Sequence, residues 1–251
     1  AMEAAWRYQD VLANNIANAG TVGYRTEELK FDSILSSVSR APTAFARAGE
    51  SFVSERAGGL NKTGNPLDVA IAGNGYFAIQ TPSGTVYTRD GRMQISPAGE
   101  LLTLNGHAVL DAGGAPLQLD ASAGIPRIAR DGMITQNGRQ AGAIGLYALD
   151  LSQGYGRTEN SALVPVAAAT PIVTFTADGI VQGFVEEANI NAVTEMTNLI
   201  AVTRSFEALI DGSPAPASYQ WDFGNGGIIY LAAAPAETYT CLYPPSLPPL
   251  F

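Results

Sequence analysis

A helix-like seam stands at each end of this 251-residue chain, and the long stretch between them reads as short strands. At the start, Met2, Ala5, Gln9, Leu12, Ile16 and Ala19 recur at alternating steps of three and four. Near the other end Ala192, Met196, Leu199, Thr203, Phe206 and Ile210 do the same. That spacing lays one narrow stripe along a helix, as two helices packing along a shared seam require. Gln9 and Thr203 are polar members of otherwise apolar lines. A short helix is marginal in water by itself, so each needs the other or a neighbouring subunit.

Gly20 and Gly23 stop the first helix near Ala19. Asn14, Asn15 and Asn18 are poor mid-helix residues. Two readings of them stand: a frayed last turn, or amide pairing with neighbouring subunits. At the second helix Asn189 or Asn191 offers the N-cap, and Glu195 places acid near the positive end of the helix dipole. Residues 24–65 have weak periodicity. TEELKFDSIL suits a short helix or an extended arm, and Ala41-Pro42 interrupts the chain, so an extended connector is expected.

From Leu67 the period shortens. LDVAIA and YFAIQT flank Gly73-Asn74-Gly75; VYTR and RMQIS flank Asp90-Gly91; LLTL and HAVLD flank Asn105-Gly106. Asp131-Gly132, Asn137-Gly138 and Asp178-Gly179 repeat the pattern. Asn-Gly and Asp-Gly accept the positive φ of tight hairpin turns, so each pair is expected at a chain reversal. The fold class that follows is mainly β with terminal α-helices. A hairpin-rich antiparallel β domain, sheet or barrel, is bracketed by paired N- and C-terminal helices. The expected divisions are an N-terminal helix within 1–23, a connector at 24–65, a β domain at 66–188 and a C-terminal helix at 189–210.

Residues 211–251 break the pattern. Gly212-Ser213-Pro214-Ala215-Pro216 ends a helix, and the remainder is rich in proline, closing on CLYPPSLPPLF. SYQWDFGNGG faintly resembles a motif of PKD-type β-sandwich domains, with too little chain left for one. A frameshifted reading, a fused fragment and a genuine variant tail are the three accounts. The abrupt change without a linker favours the first, with an aberrant or disordered tail.

The chemistry of the middle is sparse. Gly73 to Ala78 matches G-x-G-x-x-A, but a strand follows where a dinucleotide site needs a helix. Gly58 to Thr63 lacks the glycine that precedes the lysine of a phosphate loop. His107 is the only histidine and Cys241 the only cysteine, so neither a His-rich metal site nor an internal disulfide is expected. No G-x-S-x-G elbow supports a serine nucleophile. Glu186 and Glu187 are adjacent in a strand and so face opposite ways, which suits solvent or an interface. Arg25, Arg89 and Arg204 suit intersubunit salt bridges or plain solvation. No catalytic residue, metal or cofactor is assigned, and the chain is not expected to be an enzyme.

A formal net charge of −9 argues against a nucleic-acid partner. No run approaches the ~18 consecutive apolar residues of a membrane span. No charged n-region followed by an apolar h-region marks a Sec signal. The first residue is Ala1, so an initiator Met, with or without a short leader, is expected upstream.

Several stretches carry a likeness. LANNIANAGTVGYR at 12–25, NPLDVAIAGNGYFAIQ at 65–80, VYTRDGRMQISPAGELLTLNGHAVL at 86–110, GFVEEANINAVTEM at 183–196 and AVTRSFEAL at 201–209 resemble, in order, motifs of the flagellar axial proteins. That family comprises rod, hook and hook-associated subunits, and the pattern is most similar to a basal-body rod protein of the proximal type. The resemblance implies a structural subunit that assembles through its terminal helices into an inner tube, with the β domain as outer wall, and transmits torque. The assembly seam would then include Leu12, Asn15, Ile16, Asn18, Met196, Leu199, Thr203 and Phe206. Partners would be copies of the chain and other rod and hook subunits, with no small-molecule substrate and only indirect membrane contact. The location would be the periplasm-spanning basal body, reached through the flagellar export apparatus without a cleaved signal. The alternatives are a distal-rod or hook-type paralogue and, from another class, a secreted β-rich binding or adhesion module. An adhesion module has no need of two seams at opposite ends.

Overall fold

The structure, a computed structural model, describes residues 2–36, 43–158, 161–175, 179–211, 218–222, 228–232 and 240–242. The chain divides into two compact units. One gathers Ala1–Ile16, Glu27–Ser51 and Asn191–Phe251; the other holds Ala17–Thr26 and Phe52–Ile190.

The first unit contains both helices, α1 (Met2–Ala17) and α2 (Ala192–Asp211). α1 stops two residues before the expected Ala19, and the Thr21 N–H donates to Asn18 O in the turn that follows. At α2 the choice of cap falls to Asn191. Its Oδ1 accepts the Thr194 N–H at 3.2 Å, and its carbonyl accepts the first helical bond, from Glu195, at 3.0 Å. The polar seam member Thr203 is accommodated on its own helix, its hydroxyl donating to Leu199 O at 2.9 Å. The expected connector is strand rather than helix: β1 (Glu27–Ser36) and β2 (Thr43–Val53) pair in a two-stranded sheet. In the tail, Ser218–Asp222, Ile228–Ala232 and Thr240–Leu242 form an antiparallel three-stranded sheet.

The second unit is all β. In chain order come β3 (Leu60–Lys62), β4 (Val69–Ala72), β5 (Tyr76–Thr81), β6 (Gly84–Thr88), β7 (Met93–Ile95), β8 (Leu101–Thr103) and β9 (Ala108–Val109). Then follow β10 (Arg127–Ile128), β11 (Met133–Gln136), β12 (Arg139–Ala143), β13 (Leu146–Ala148) and β14 (Tyr155–Arg157). β15 (Leu163–Pro165), β16 (Thr170–Pro171), β17 (Gly179–Gln182) and β18 (Phe184–Glu186) complete it. β5 is the central strand. It pairs with β6 along one edge and divides the other between β9 and β13. Beyond β6 lie β15 and β14, and beyond β9 lie β8 and β7, in an open sheet rather than a barrel. β10–β11–β12 form a separate sheet, and β17–β4 and β18–β3 are antiparallel pairs.

Alternation along β5 explains its place. Phe77 and Ile79 point into the main core with Val69, Leu101, Ile134 and Leu146. Ala78 faces the other way, onto Leu110 and Tyr147. That second face is sealed by the Tyr87 and Tyr147 rings, whose centroids lie 5.5 Å apart, and by the Tyr147 hydroxyl donating to Asp111 O.

The turns divide into two kinds. Asn105-Gly106, Asp131-Gly132 and Asn137-Gly138 connect paired neighbours, β8–β9, β10–β11 and β11–β12, as expected. At Asn137-Gly138 both residues have positive φ, 48° and 74°, the signature of a type I′ hairpin. The only histidine closes the first of these turns, its main chain bonded to Thr103 through both N–H and carbonyl. Asp90-Gly91 and Gly73-Asn74-Gly75 are not hairpins. β6 and β7 have different partners, as do β4 and β5. Asp178 lies outside the described residues, and Gly179 opens β17.

Gly91 is needed for close approach. The Val69 N–H donates to Gly91 O at 2.9 Å, and a Cβ on Gly91 would sit 1.7 Å from Val69 O. Asp90 holds Arg92 beside it by a two-point ion pair, at 2.9 and 2.7 Å. Gly106, by contrast, has φ +82° and open space around it. Gly106→Ala is expected to cost about 1–2 kcal/mol, the left-handed penalty alone. Gly91→Ala is expected to cost more, because two backbones must separate. Urea midpoints of the two variants check this, and equal midpoints would refute the distinction.

Candidate functional site: helix faces and a buried charge cluster

Where α2 presents its residues decides what it can bind. Val202 is fully buried, with Ala192, Glu195, Leu199 and Thr203 half-buried beside the same line. This inward line is rotated from the expected seam, because Met196 faces out, 53 % exposed. With Val193 at 74 % and Ile200 at 53 %, Met196 forms an outward apolar stripe at steps of three and four. Ala192, Leu199 and Thr203 of the expected seam lie on the inward line, which Glu195 and Val202 complete in place of Met196. The Phe206 side chain lies outside the described residues.

On α1, Leu12 and Asn15 are each 1 % exposed and Ile16 is half-buried, as is Asn18 in the turn just beyond it. Asn15 has a role neither expectation gave it. Asn15 Nδ2 donates to Glu27 O at 2.9 Å, and its Oδ1 accepts the Glu27 N–H at 3.0 Å, so the amide clasps the start of β1. Asn18 Oδ1 accepts the Thr21 hydroxyl. Tyr8, also on α1, has its pKa pushed up to about 12 by burial first, then by the Glu195 and Glu28 carboxylates. Unfolded tyrosine ionises near 10.0. Above that pH the unfolded chain therefore holds fewer protons than the folded one, so stability falls as pH rises from about 10 to about 12. Tyr8→Phe is expected to lose less stability than the parent across that window, and parallel losses in urea titrations would contradict it.

In the second unit a set of charges is buried where none was expected. Glu186, 1 % exposed, lies between Arg25 and Arg89. Arg25 NH2 is 2.9 Å from Glu186 Oε1. Arg89 Nε is 3.0 Å from Oε2, an ion pair whose N–H lies outside hydrogen-bonding alignment. Other donors reach main-chain carbonyls: Arg25 NH1 those of Glu55 and Arg56, Arg89 NH1 that of Gly75 and NH2 that of Gly73. The Gly58 N–H donates to Glu186 Oε1, and the Gly23 N–H to Glu186 O. Around this cluster Arg157 lies over the Tyr24 ring at 4.7 Å and donates to Arg25 O. Asn189 Oδ1 accepts the Thr26 N–H and hydroxyl, and its Nδ2 donates to Arg56 O. Arg25 and Arg89 are thus internal rather than intersubunit, and only Glu187 of the acidic pair meets solvent. Sequence offered one signal, an acid and two arginines beside turn glycines, and no means to pair them.

Three family models match the chain. The flagella basal body rod protein model covers residues 1–25, the flagellar hook protein FlgE/F/G D1 domain model 70–139, and the flagellar basal body rod FlgEFG protein C-terminal model 181–210. The flagellar basal-body rod protein FlgF of Mesorhizobium japonicum is 47 % identical over 207 residues, spanning 82 % of this chain and 86 % of that protein. This chain belongs to the flagellar basal-body rod protein family. FlgF of Rhizobium meliloti is 46 % identical, over 79 % of this chain and 82 % of its own. FlgG of Agrobacterium fabrum is more distant at 31 %, over 82 % and 88 %. Within this rod-protein chain the buried cluster draws one charge from each matched segment: Arg25, Arg89 and Glu186.

Glu186→Ala is expected to cost about 3–5 kcal/mol, because it leaves two buried guanidinium groups without a counter-charge. Glu187→Ala, at the exposed neighbour, is expected to stay within about 0.5 kcal/mol of the parent. Chemical denaturation of both checks the contrast.

Proposed function

We propose that this rod-family chain is a structural subunit of the proximal rod that self-assembles through the outward faces of its terminal helices and transmits torque. The observation carrying the reading is the stripe Val193, Met196 and Ile200, which leaves apolar surface of α2 in water. Trp6, 56 % exposed on α1, adds a large ring outside the core. Head-to-tail contacts of this kind extend as a helical filament whenever their rotation does not close. The proximal assignment is supported by identities of 47 % and 46 % to two FlgF relatives, against 31 % to FlgG of Agrobacterium fabrum. Its partners are copies of itself and other rod and hook subunits, and its place is the basal body, reached by the flagellar export apparatus without a cleaved signal. Its role is mechanical rather than catalytic.

The helix length bears on assembly too. The C-terminal family match stops at Ile210 and α2 at Asp211, just before the proline-rich tail. We infer that residues 211–251 stand in place of a longer seam-bearing helix and weaken lateral contacts.

Motility of a strain lacking its proximal-rod subunit tests both points. Met196→Glu and Ile200→Glu are expected to abolish rescue, while purified protein keeps its unfolding free energy within about 0.5 kcal/mol of the parent. A chain with a helical continuation in place of the tail is expected to rescue better than the parent. Full rescue by the glutamate variants would overturn the helix-face reading. Equal rescue with and without the tail would overturn the inference about residues 211–251.

A further inference from the structure

Three Asn-Gly steps lie in the β unit, Asn74-Gly75, Asn105-Gly106 and Asn137-Gly138; a fourth, Asn225-Gly226, lies outside the described residues. Asn-Gly is the dipeptide most open to spontaneous loss of ammonia, because glycine has no side chain to hinder its own nitrogen.

Tertiary structure treats the three differently. At Asn74 the following glycine is buried; a Cβ on Gly75 would lie 2.8 Å from Ile172, and its carbonyl is held by Arg89. At Asn105 the Gly106 N–H is engaged, donating to Thr103 O at 3.0 Å. At Asn137 both residues are exposed and space around Gly138 is open. The ladder closes at Gln136 and Arg139, so the exposed Gly138 belongs to the two-residue loop and takes no part in the ladder. A register shift between Ile134 and Thr135 interrupts the hairpin just before the turn.

We propose that Asn137 is a site of non-enzymatic deamidation in the folded protein. The Gly138 nitrogen gives its proton to water and attacks Asn137 Cγ. The bond from Cγ to the side-chain nitrogen breaks, and ammonia leaves with a proton from water. The resulting succinimide is opened by water at either carbonyl, yielding aspartate or isoaspartate with no change of oxidation state. Either product adds one negative charge to a chain already at −9, two residues from Arg139. Isoaspartate also adds a methylene to the main chain of a loop that has room for two residues, so β11 and β12 lose their register.

Incubating the native full chain at mildly alkaline pH and digesting it with trypsin tests this. Peptides 131–139, 93–127 and 63–89 carry Asn137, Asn105 and Asn74 respectively, and fragment masses locate the exchange of NH for O. Asn65 does not confuse the last peptide, because the Pro66 nitrogen has no proton to lose. Peptide 131–139 is expected to convert several-fold faster than the other two. In denaturant the three are expected to converge. Conversion of Asn105 or Asn74 at an equal or greater rate in the native chain would overturn the proposal. So would an unreactive Asn137 in native protein whose denatured form reacts, or an ordering that persists unchanged in denaturant.

Discussion

Glu186 between Arg25 and Arg89 is the interaction on which the β unit depends. Removing three charges from water is costly, and main-chain hydrogen bonds add to the Coulomb attraction that offsets it. The two guanidinium groups reach the carbonyls of Gly73, Gly75, Glu55 and Arg56, and the carboxylate accepts from Gly58. The cluster therefore specifies where several irregular backbone segments must lie. Those segments have little apolar surface with which to specify themselves. Gly23 fits for a related reason: a Cβ there would lie 2.4 Å from the Arg89 carbonyl carbon. The result fastens residues 22–26 to 184–189, the C-terminal ends of this unit's two segments.

The helical unit divides its side chains differently. α2 faces Val202 and Leu199 inward while Val193, Met196 and Ile200 stay out. The hydroxyls of Thr197 and Thr203 bond back to their own helix, so these residues sit on either face without an unmet donor. On α1 the buried Asn15 replaces an apolar contact by a two-point clasp of β1. That fixes direction as well as distance, which an aliphatic residue cannot do.

Turn chemistry shows where local reading stops. The same dipeptide class serves two purposes in this chain. Asn137-Gly138 makes a hairpin because both its residues adopt positive φ and its flanking strands pair. Asp90-Gly91 has equal hairpin credentials in sequence, yet its glycine lets one backbone approach Val69 while the flanking strands take other partners. Nothing within ten residues distinguishes the cases, because the deciding partner is about twenty residues away in sequence.

By itself the sequence determined what depends on neighbours along the chain. The 3.6-residue period placed a helix at each end, and paired turn residues made the middle antiparallel β. It also determined the family, because ordered motifs survive as strings. Tertiary structure decided everything that depends on residues distant in sequence. It put Glu195 and Val202 on the inward line of α2 in place of Met196. It turned Asn15 from a weak helix residue into a clasp. It joined Arg25, Arg89 and Glu186, which are spread over 161 positions of the chain. A charge in a sequence has no address until the fold removes its water, and only the fold says which opposite charge is then within 3 Å.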